Sequence, residues 1–251
     1  MSISLFTLLD WLQETLQPER FHDYCPNGLQ VEGRSQVRRL ATGVTANQDV
    51  LDQAIAWGAD AILVHHGYFW KGEAEPVVGM KRRRLAALLA NEVSLIAYHL
   101  PLDAHPVLGN NARLGQLMGV SDSRPLQPQE PASVGNVGTL STTAGELSDL
   151  LQSLTARRPL LIGEPERRVK RVAWCTGAAQ SYIGAAVTAG ADVFVTGEVS
   201  EPTVHTAREE GIAFIAAGHH ATERYGVQAV GEALAGQFPL EHCFFDSDNP
   251  V

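Results

Sequence analysis

Histidines and carboxylates recur at the ends of apolar runs in two separated stretches of this chain. His65 and His66 close the run in ILVHHGYFW, Asp103 ends AYHLPLD, and His219 and Glu223 stand in IAAGHHATE. Imidazole and carboxylate together are the donor set of a first-row divalent metal. Five such residues exceed what a four-coordinate structural zinc needs, and they suit two metal ions sharing a bridging carboxylate. Adjacent histidines on an extended strand point to opposite faces. At a strand terminus the chain turns, and Gly67 directly after the pair permits a sharp turn. Two imidazoles leaving an apolar run need polar partners, which favours ligation. Asp103 alone could cap the segment after it, and Glu223 alone could favour a helix N-terminus. The shared His-x-x-x-carboxylate spacing, His99 to Asp103 and His219 to Glu223, argues for ligation by both carboxylates. His99 reads as a ligand, as hydrogen-bonding support for one, or as a substrate contact. His220 is expected to point away from His219, and His22, His105 and His242 read as ordinary solvated or hydrogen-bonded residues.

The elements that must position these groups are visible as an internal repeat. Residues 38–66, RRLATGVTANQDVLDQAIAWGADAILVHH, match residues 170–198, KRVAWCTGAAQSYIGAAVTAGADVFVTGE. At one constant offset Arg39 pairs with Arg171, Ala41 with Ala173, Gln48 with Gln180, and Gly58-Ala59-Asp60 with Gly190-Ala191-Asp192. Each copy reads as a strand, a polar loop, an Ala-rich helix ending at Gly, and a short buried strand. The runs ILV and VFV are continuous and apolar, as expected where both faces of a sheet are covered. Each copy is then followed by a helix (MKRRRLAALLANE, PTVHTAREEG) and a third strand (SLIAYH, IAFIAAG). The fold class is therefore α/β, with two topologically related lobes and right-handed crossovers. In open α/β sheets ligands gather at the carboxyl ends of strands, where His65-His66, Asp103, Glu198, His219 and Glu223 all fall.

Residues 121–133, SDSRPLQPQEPAS, are rich in Pro, Ser and Gln and read as a linker. The expected division is a first lobe over 1–120 carrying His65-His66 and Asp103, and a second over 134–251 carrying Glu198, His219 and Glu223. The C-terminal segment could pack back on the first lobe. The N-terminal SLFTLLDWLQETL reads as an amphipathic surface helix rather than a signal peptide.

A formal net charge of −9 over 251 residues argues against sequence-independent nucleic-acid binding. Lys81-Arg82-Arg83-Arg84 reads as the solvated first turn of a helix, with phosphate contact as the alternative. The three cysteines, Cys25, Cys175 and Cys243, form no CxxC pair and lie away from the His and carboxylate motifs. This argues against a thiolate site and for a reducing, cytoplasmic compartment. No stretch is long and apolar enough to span a membrane.

Taken together, HH at a strand end, HxxxD, Thr196-Gly197-Glu198 with His205 downstream, Gly218 to Glu223, and Asn27-Gly28-Leu29-Gln30 near the N-terminus resemble the NIF-three-like family. Its members are often labelled GTP cyclohydrolase I type 2 homologues, and the resemblance spans essentially the whole chain. It implies two interlinked α/β lobes with a dinuclear metal centre in the cleft between them. It also implies ligation by His65, His66, Asp103, His219 and Glu223, with Glu223 as the bridge, and a toroidal homohexamer with its metal sites facing inward.

The leading functional expectation is a metal-dependent hydrolase acting on a small molecule, a nucleotide or related heterocycle. Two divalent ions per subunit are expected, and the ligand types suit Zn, Mn, Fe or Ni alike. Glu198 and His205 are the candidate proton-transfer or supporting groups. The alternatives are a metal storage or delivery protein and a ring-shaped scaffold in DNA-damage or stress response. The acidic charge does not favour the scaffold.

Overall fold

A computed structural model describes residues 2–130 and 132–251. Met1 of the expected first lobe and Pro131 of the expected linker lie outside the described residues. In chain order, β1 (Ile3–Ser4), α1 (Leu5–Leu16), β2 (Gly28–Val31) and β3 (Gln36–Val37) come first. The first repeat copy then forms β4 (Arg39–Thr45), α2 (Gln48–Trp57), β5 (Ala61–His66), α3 (Gly79–Ala90) and β6 (Ser94–Ala97). Next come α4 (Leu100–Ala104), α5 (Asn110–Leu117), β7 (Ser121–Pro125), β8 (Asn136–Thr143), α6 (Ala144–Thr155) and β9 (Leu160–Ile162). The second copy forms β10 (Arg168–Trp174), α7 (Ile183–Thr188), β11 (Val193–Thr196), α8 (Glu201–Glu209) and β12 (Ala213–Ala216). The chain ends with α9 (His219–Thr222), α10 (Arg224–Gln237) and β13 (Glu241–Phe244).

Two compact units result. The first runs to Leu102 and takes back Gly226–Asp248; the second comprises Asp103–Tyr225 and Asn249–Val251. The first unit holds a five-stranded sheet, β13-β4-β5-β6-β2, in which only the edge strand β2 runs antiparallel. The second holds a six-stranded sheet, β7-β8-β10-β11-β12-β9. Its strands β10, β11 and β12 are parallel, and β8 and β9 flank them antiparallel. The mixed α/β class read from the repeat is the observed one.

The apolar runs behave as their composition requires. In the second unit Val172, Trp174, Val193, Val195 and Ile215 pack on one side with Leu147 and Leu151 of α6. The alternate residues Ala173, Phe194 and Phe214 pack on the other with Ile183, Ala186 and Ala207. Both faces are covered, so β11 and β12 are buried along their whole length and show no polar alternation. In the first unit Ile62, Val64, Leu95 and Ala97 meet Leu51 of α2 and Leu88 of α3. Helix α1 starts where Ser4 accepts a hydrogen bond from the Thr7 backbone N–H, a side-chain cap of the usual kind. It buries Leu5, Leu8, Leu12 and Leu16 along one stripe.

Two departures from the expected division have physical causes. The segment read as a linker begins with β7, an edge strand antiparallel to β8. All five of its residues are exposed, so it lacks the apolar pattern that marks a strand, and its Pro125 sits where an edge tolerates proline. The boundary at residue 120 is replaced by one after Leu102, which transfers Asp103 to the second unit.

The repeat is carried by a matching set of hydrogen bonds. Asp60 Oδ2 accepts from the backbone N–H groups of Arg38 at 2.8 Å and Arg39 at 2.9 Å. At the equivalent place Asp192 Oδ2 accepts from Lys170 at 2.8 Å and Arg171 at 2.9 Å. Arg39 Nη1 donates to the Trp57 carbonyl and Arg171 Nη1 to the Ala189 carbonyl, each at 3.0 Å. In both units the carboxylate before the second strand therefore holds the start of the first, and the arginine caps the intervening helix. Asp60→Ala and Asp192→Ala are each expected to lower stability by about 1–3 kcal/mol, seen as a reduced urea midpoint. Asp60→Asn, which keeps an acceptor, should lose less. Unchanged midpoints in both alanine variants would show that these bonds contribute nothing net.

Candidate metal centre

In the first unit three imidazoles gather at the carboxyl end of β5 and β6. His65 is fully buried, and its Nδ1 lies 3.0 Å from the Tyr98 carbonyl oxygen. That carbonyl can only accept, so Nδ1 carries the proton and metal contact would fall to Nε2. His66 is paired across the sheet with Thr45, whose Oγ1 lies 3.0 Å from His66 Nδ1. His99 follows β6 and donates from Nδ1 to Asp23 Oδ1 at 2.7 Å. The ring centroids are 4.5 Å apart for His65 and His66, and 5.0 Å apart for His65 and His99. One ring nitrogen from each of the three lies within 4.8 Å of the others, close enough to share an ion.

The N-terminal Asn27-Gly28-Leu29-Gln30 segment braces this end of the sheet. Asn27 Oδ1 accepts from the His99 backbone N–H at 2.8 Å. Gln30 Oε1 accepts from the Tyr68 backbone N–H at 2.7 Å, which pins the turn after His66. Asp23 is the hub: its side chain is 3% exposed, and besides His99 it accepts from Asn27 Nδ2 and the Tyr24 and Leu100 backbone N–H groups. Burial alone would raise the Asp23 pKa, but the hydrogen bond and charge of His99 outweigh it and hold the carboxyl below its ordinary range. Cys25 is buried beside Asp23, and both effects push its thiol up to about 12, so thiolate ligation there is disfavoured.

In the second unit the carboxylates are held as firmly. Asp103 Oδ1 accepts from Asn110 Nδ2 at 2.9 Å and from Thr176 Oγ1 at 3.2 Å. Asn110 and Asn111 open α5, and both are buried. Asn111 accepts from Trp174 Nε1 through its carbonyl and from the Thr176 backbone N–H through Oδ1. This ties the start of α5 to the end of β10 and so sets the place of Asp103. His219 Nδ1 lies 2.7 Å from Glu198 Oε1, and its Nε2 lies 3.2 Å from Glu223 Oε2. Burial would lower the His219 pKa, but Glu223 and Glu198 outweigh it and push it up to about 9. With both nitrogens protonated, each faces a carboxylate. Gly177 has φ +71°, and a Cβ there would collide with Glu223 Oε1; the close approach of that carboxylate requires glycine. Burial raises the Cys175 pKa, and the charges of Asp103 and Glu223 add to it, a sign of a locally negative field suited to cations.

His65 and His66 thus stand together with His99 in the first unit, and Glu198 stands with His219 and Glu223 in the second. Asp103, expected with the first lobe, belongs to the second unit. His205 is not drawn into either group. Its imidazole is 60% exposed and pairs with Glu201 one helical turn away, at 3.0 Å on α8. Asp23, Asn110, Asn111 and Thr176 carry out the positioning and were not singled out from sequence. The signal that could have marked them is amide and hydroxyl residues beside apolar runs, which must be bonded if buried.

A family model described as Duf34/NIF3 (NGG1p interacting factor 3) matches residues 3–250. The chain belongs to the Duf34/NIF3 family. Among curated Duf34/NIF3 relatives, a "GTP cyclohydrolase 1 type 2 homolog" of Pseudomonas aeruginosa is 54% identical over 100% of both chains. One of Escherichia coli with the same name is 50% identical over 96% of each. A solved structure titled "Structural genomics, protein ybgI, unknown function" is 47% identical, with a TM-score of 0.94 over 99% of this chain and 100% of that one. A Thermus thermophilus structure is 33% identical, with a TM-score of 0.90 over the same shares.

Asp23→Ala leaves His99 Nδ1, Asn27 and two backbone N–H groups without their acceptor. The expected cost is about 2–4 kcal/mol, measured by urea denaturation. Because the folded Asp23 pKa is depressed, its contribution is present above the ordinary aspartate value of 3.8 and fades as pH falls through the lower folded value. Asp23→Asn should flatten that acid limb; an identical acid limb in wild type and Asp23→Asn would contradict the assignment.

Proposed function

We propose that this protein is a dinuclear divalent-metal hydrolase acting on a nucleotide or a related heterocycle. His65, His66, Asp103, His219 and Glu223 would hold the ions, with Glu223 the carboxylate that would serve both. The observation that carries this reading is the engagement of Nδ1 in every proposed imidazole ligand. Tyr98, Thr45 and Glu198 hold those nitrogens, and such partners orient ligating histidines and leave Nε2 for the metal. The donor set is nitrogen and oxygen, with the nearby thiols held protonated. It fits Zn, Mn, Fe or Ni. When bound, two such ions would lower the pKa of a water and offset charge on a developing oxyanion.

The chain's own residues do the rest. Glu198 fixes the orientation of His219 and holds the proton at Nδ1. Asp23 does the same for His99, whose imidazole stands beside the His65-His66 pair, where it can contact substrate. His205 has no part in this proposal, because its partner is Glu201 on an exposed helical face. The names borne by the relatives support nucleotide chemistry, and no more than that. Assembly as a toroidal homohexamer in the cytoplasm belongs to the same proposal. The three free cysteines accord with a reducing compartment, and among the described residues no helix is long and apolar enough to cross a membrane.

His219→Ala and Glu223→Ala are each expected to lower the metal content per subunit by at least half while the protein stays folded, read by elemental analysis and circular dichroism. His105→Ala should leave metal content unchanged, since its Nδ1 only accepts from the Val107 and Leu108 backbone. Full occupancy in both ligand variants would sink the shared centre. Protein loaded with each metal in turn should hydrolyse at least one member of a panel of nucleotides, pterin-like heterocycles and phosphoesters. No turnover with any metal would remove the hydrolase reading.

A further inference from the structure

The second unit contains a cavity of about 1030 Å³ that no proposed metal ligand lines. Its wall runs from α6 through Arg157, Arg158 and β9 to Gly197 and Glu198 after β11. Helix α6 ends at Ala156, whose φ of +56° reverses the chain and delivers the two arginines to the cavity. Arg157 then lies against the turn before His219: a Cβ on Gly218 would fall 2.6 Å from Arg157 Nη1 and 2.7 Å from its Cδ. Gly218 has φ +103°, so that position favours glycine on backbone grounds as well. The guanidinium is thus packed in place rather than waving in solvent.

Packing leaves it with an unmet requirement. Arg157 Nη1 is buried and makes no hydrogen bond among the described residues. Burying such a donor without an acceptor is costly, and for a cation the cost is greater. Neither Arg157 nor Arg158 forms an ion pair among the described residues. Of the carboxylates on the wall, Glu198 is engaged by His219, and Asp149 is on the exposed face of α6. The terminal carboxylate of Val251 accepts from the His220 backbone N–H at 3.0 Å and, among the described residues, forms no ion pair with either arginine. Two neighbouring guanidiniums without a protein anion are matched by a phosphate, which accepts several N–H bonds in the fork geometry arginine offers. The volume far exceeds a lone anion and is at the upper end of small-molecule sites. Leu161, Pro165 and Val199 supply an apolar wall for the body of a ligand.

We propose that this cavity binds a phosphate-bearing small molecule of nucleotide size, with Arg157 and Arg158 holding the phosphate and the body lying toward Glu198. The nucleotide character of the body rests on the hydrolase reading; the phosphate site rests on the arginines alone. The test is calorimetric titration of the purified, metal-containing protein with inorganic pyrophosphate, guanosine triphosphate and succinate. Pyrophosphate and guanosine triphosphate should bind, with affinity at least tenfold weaker in Arg157→Gln and partly restored in Arg157→Lys. Metal content should match wild type in both variants. If Arg157→Gln loses metal through its packing on Gly218, Arg158→Gln, which leaves that packing intact, decides by the same tenfold criterion. Absence of pyrophosphate binding in wild type, unchanged affinity in Arg158→Gln and Arg157→Gln alike, or equally tight succinate binding would overturn the phosphate site. Loss of catalytic turnover on nucleotides with Arg157-dependent pyrophosphate binding retained would remove the hydrolase reading and leave this site standing.

Discussion

An imidazole or carboxylate carried into the interior at the end of a parallel strand must have its polar atoms satisfied, and that requirement organises both units of this protein. Each histidine proposed as a ligand uses one nitrogen inside its own unit. A carbonyl, a threonine hydroxyl or a glutamate takes Nδ1. The carboxylates of Asp103 and Asp23 are likewise met by hydrogen-bond donors from their own units. The amide of Asn110 and the hydroxyl of Thr176 hold Asp103, and a cluster of N–H donors holds Asp23. Without these partners the charged groups would shift pKa or swing into solvent, and the strand ends would lose their defined geometry.

The same economy runs through the scaffold. The two copies of the repeat share few side chains, yet Asp60 and Asp192 make the same pair of backbone bonds at nearly the same lengths. What the copies retain is the hardware that aligns the first strand with the second. Their strand ends have diverged: His65-His66 stands where the other copy has Gly197-Glu198. One scaffold therefore presents mostly nitrogen donors and the other mostly oxygen donors.

Much of this was legible in the sequence, for reasons that can be stated. The βαβαβ order follows from Gly-Ala-Asp before each buried apolar run, because a positive-φ helix end and a capping carboxylate leave strong local signatures. The HH pair and the two spaced carboxylates were visible because ionisable residues at the exit of apolar runs are unusual. What stayed hidden was non-local. Asp103 follows the first repeat in the chain, but its hydrogen-bond partners come from α5 and the end of β10, so proximity in sequence assigned it to the wrong unit. His205 stands close to Glu198 in sequence, yet α8 turns it outward to Glu201. Strand β7 escaped notice because an exposed edge has the composition of a loop. Arg157 gave no signal at all, since nothing in a sequence distinguishes a packed arginine from a solvated one.

The first unit is not a continuous piece of chain: it is left at Leu102 and resumed at Gly226, and its edge strand β13 pairs in parallel with β4. During synthesis all of Asp103–Tyr225, which carries every strand of the second unit's sheet, emerges before that strand exists. The second unit's sheet can form from chain already made, whereas the first must wait with the outer edge of β4 unpaired. Such an edge is open to improper pairing until the last strand arrives, and the long closure slows its formation. Order of assembly is thus written into the path of the chain, with the sheet that carries His65 and His66 completed last.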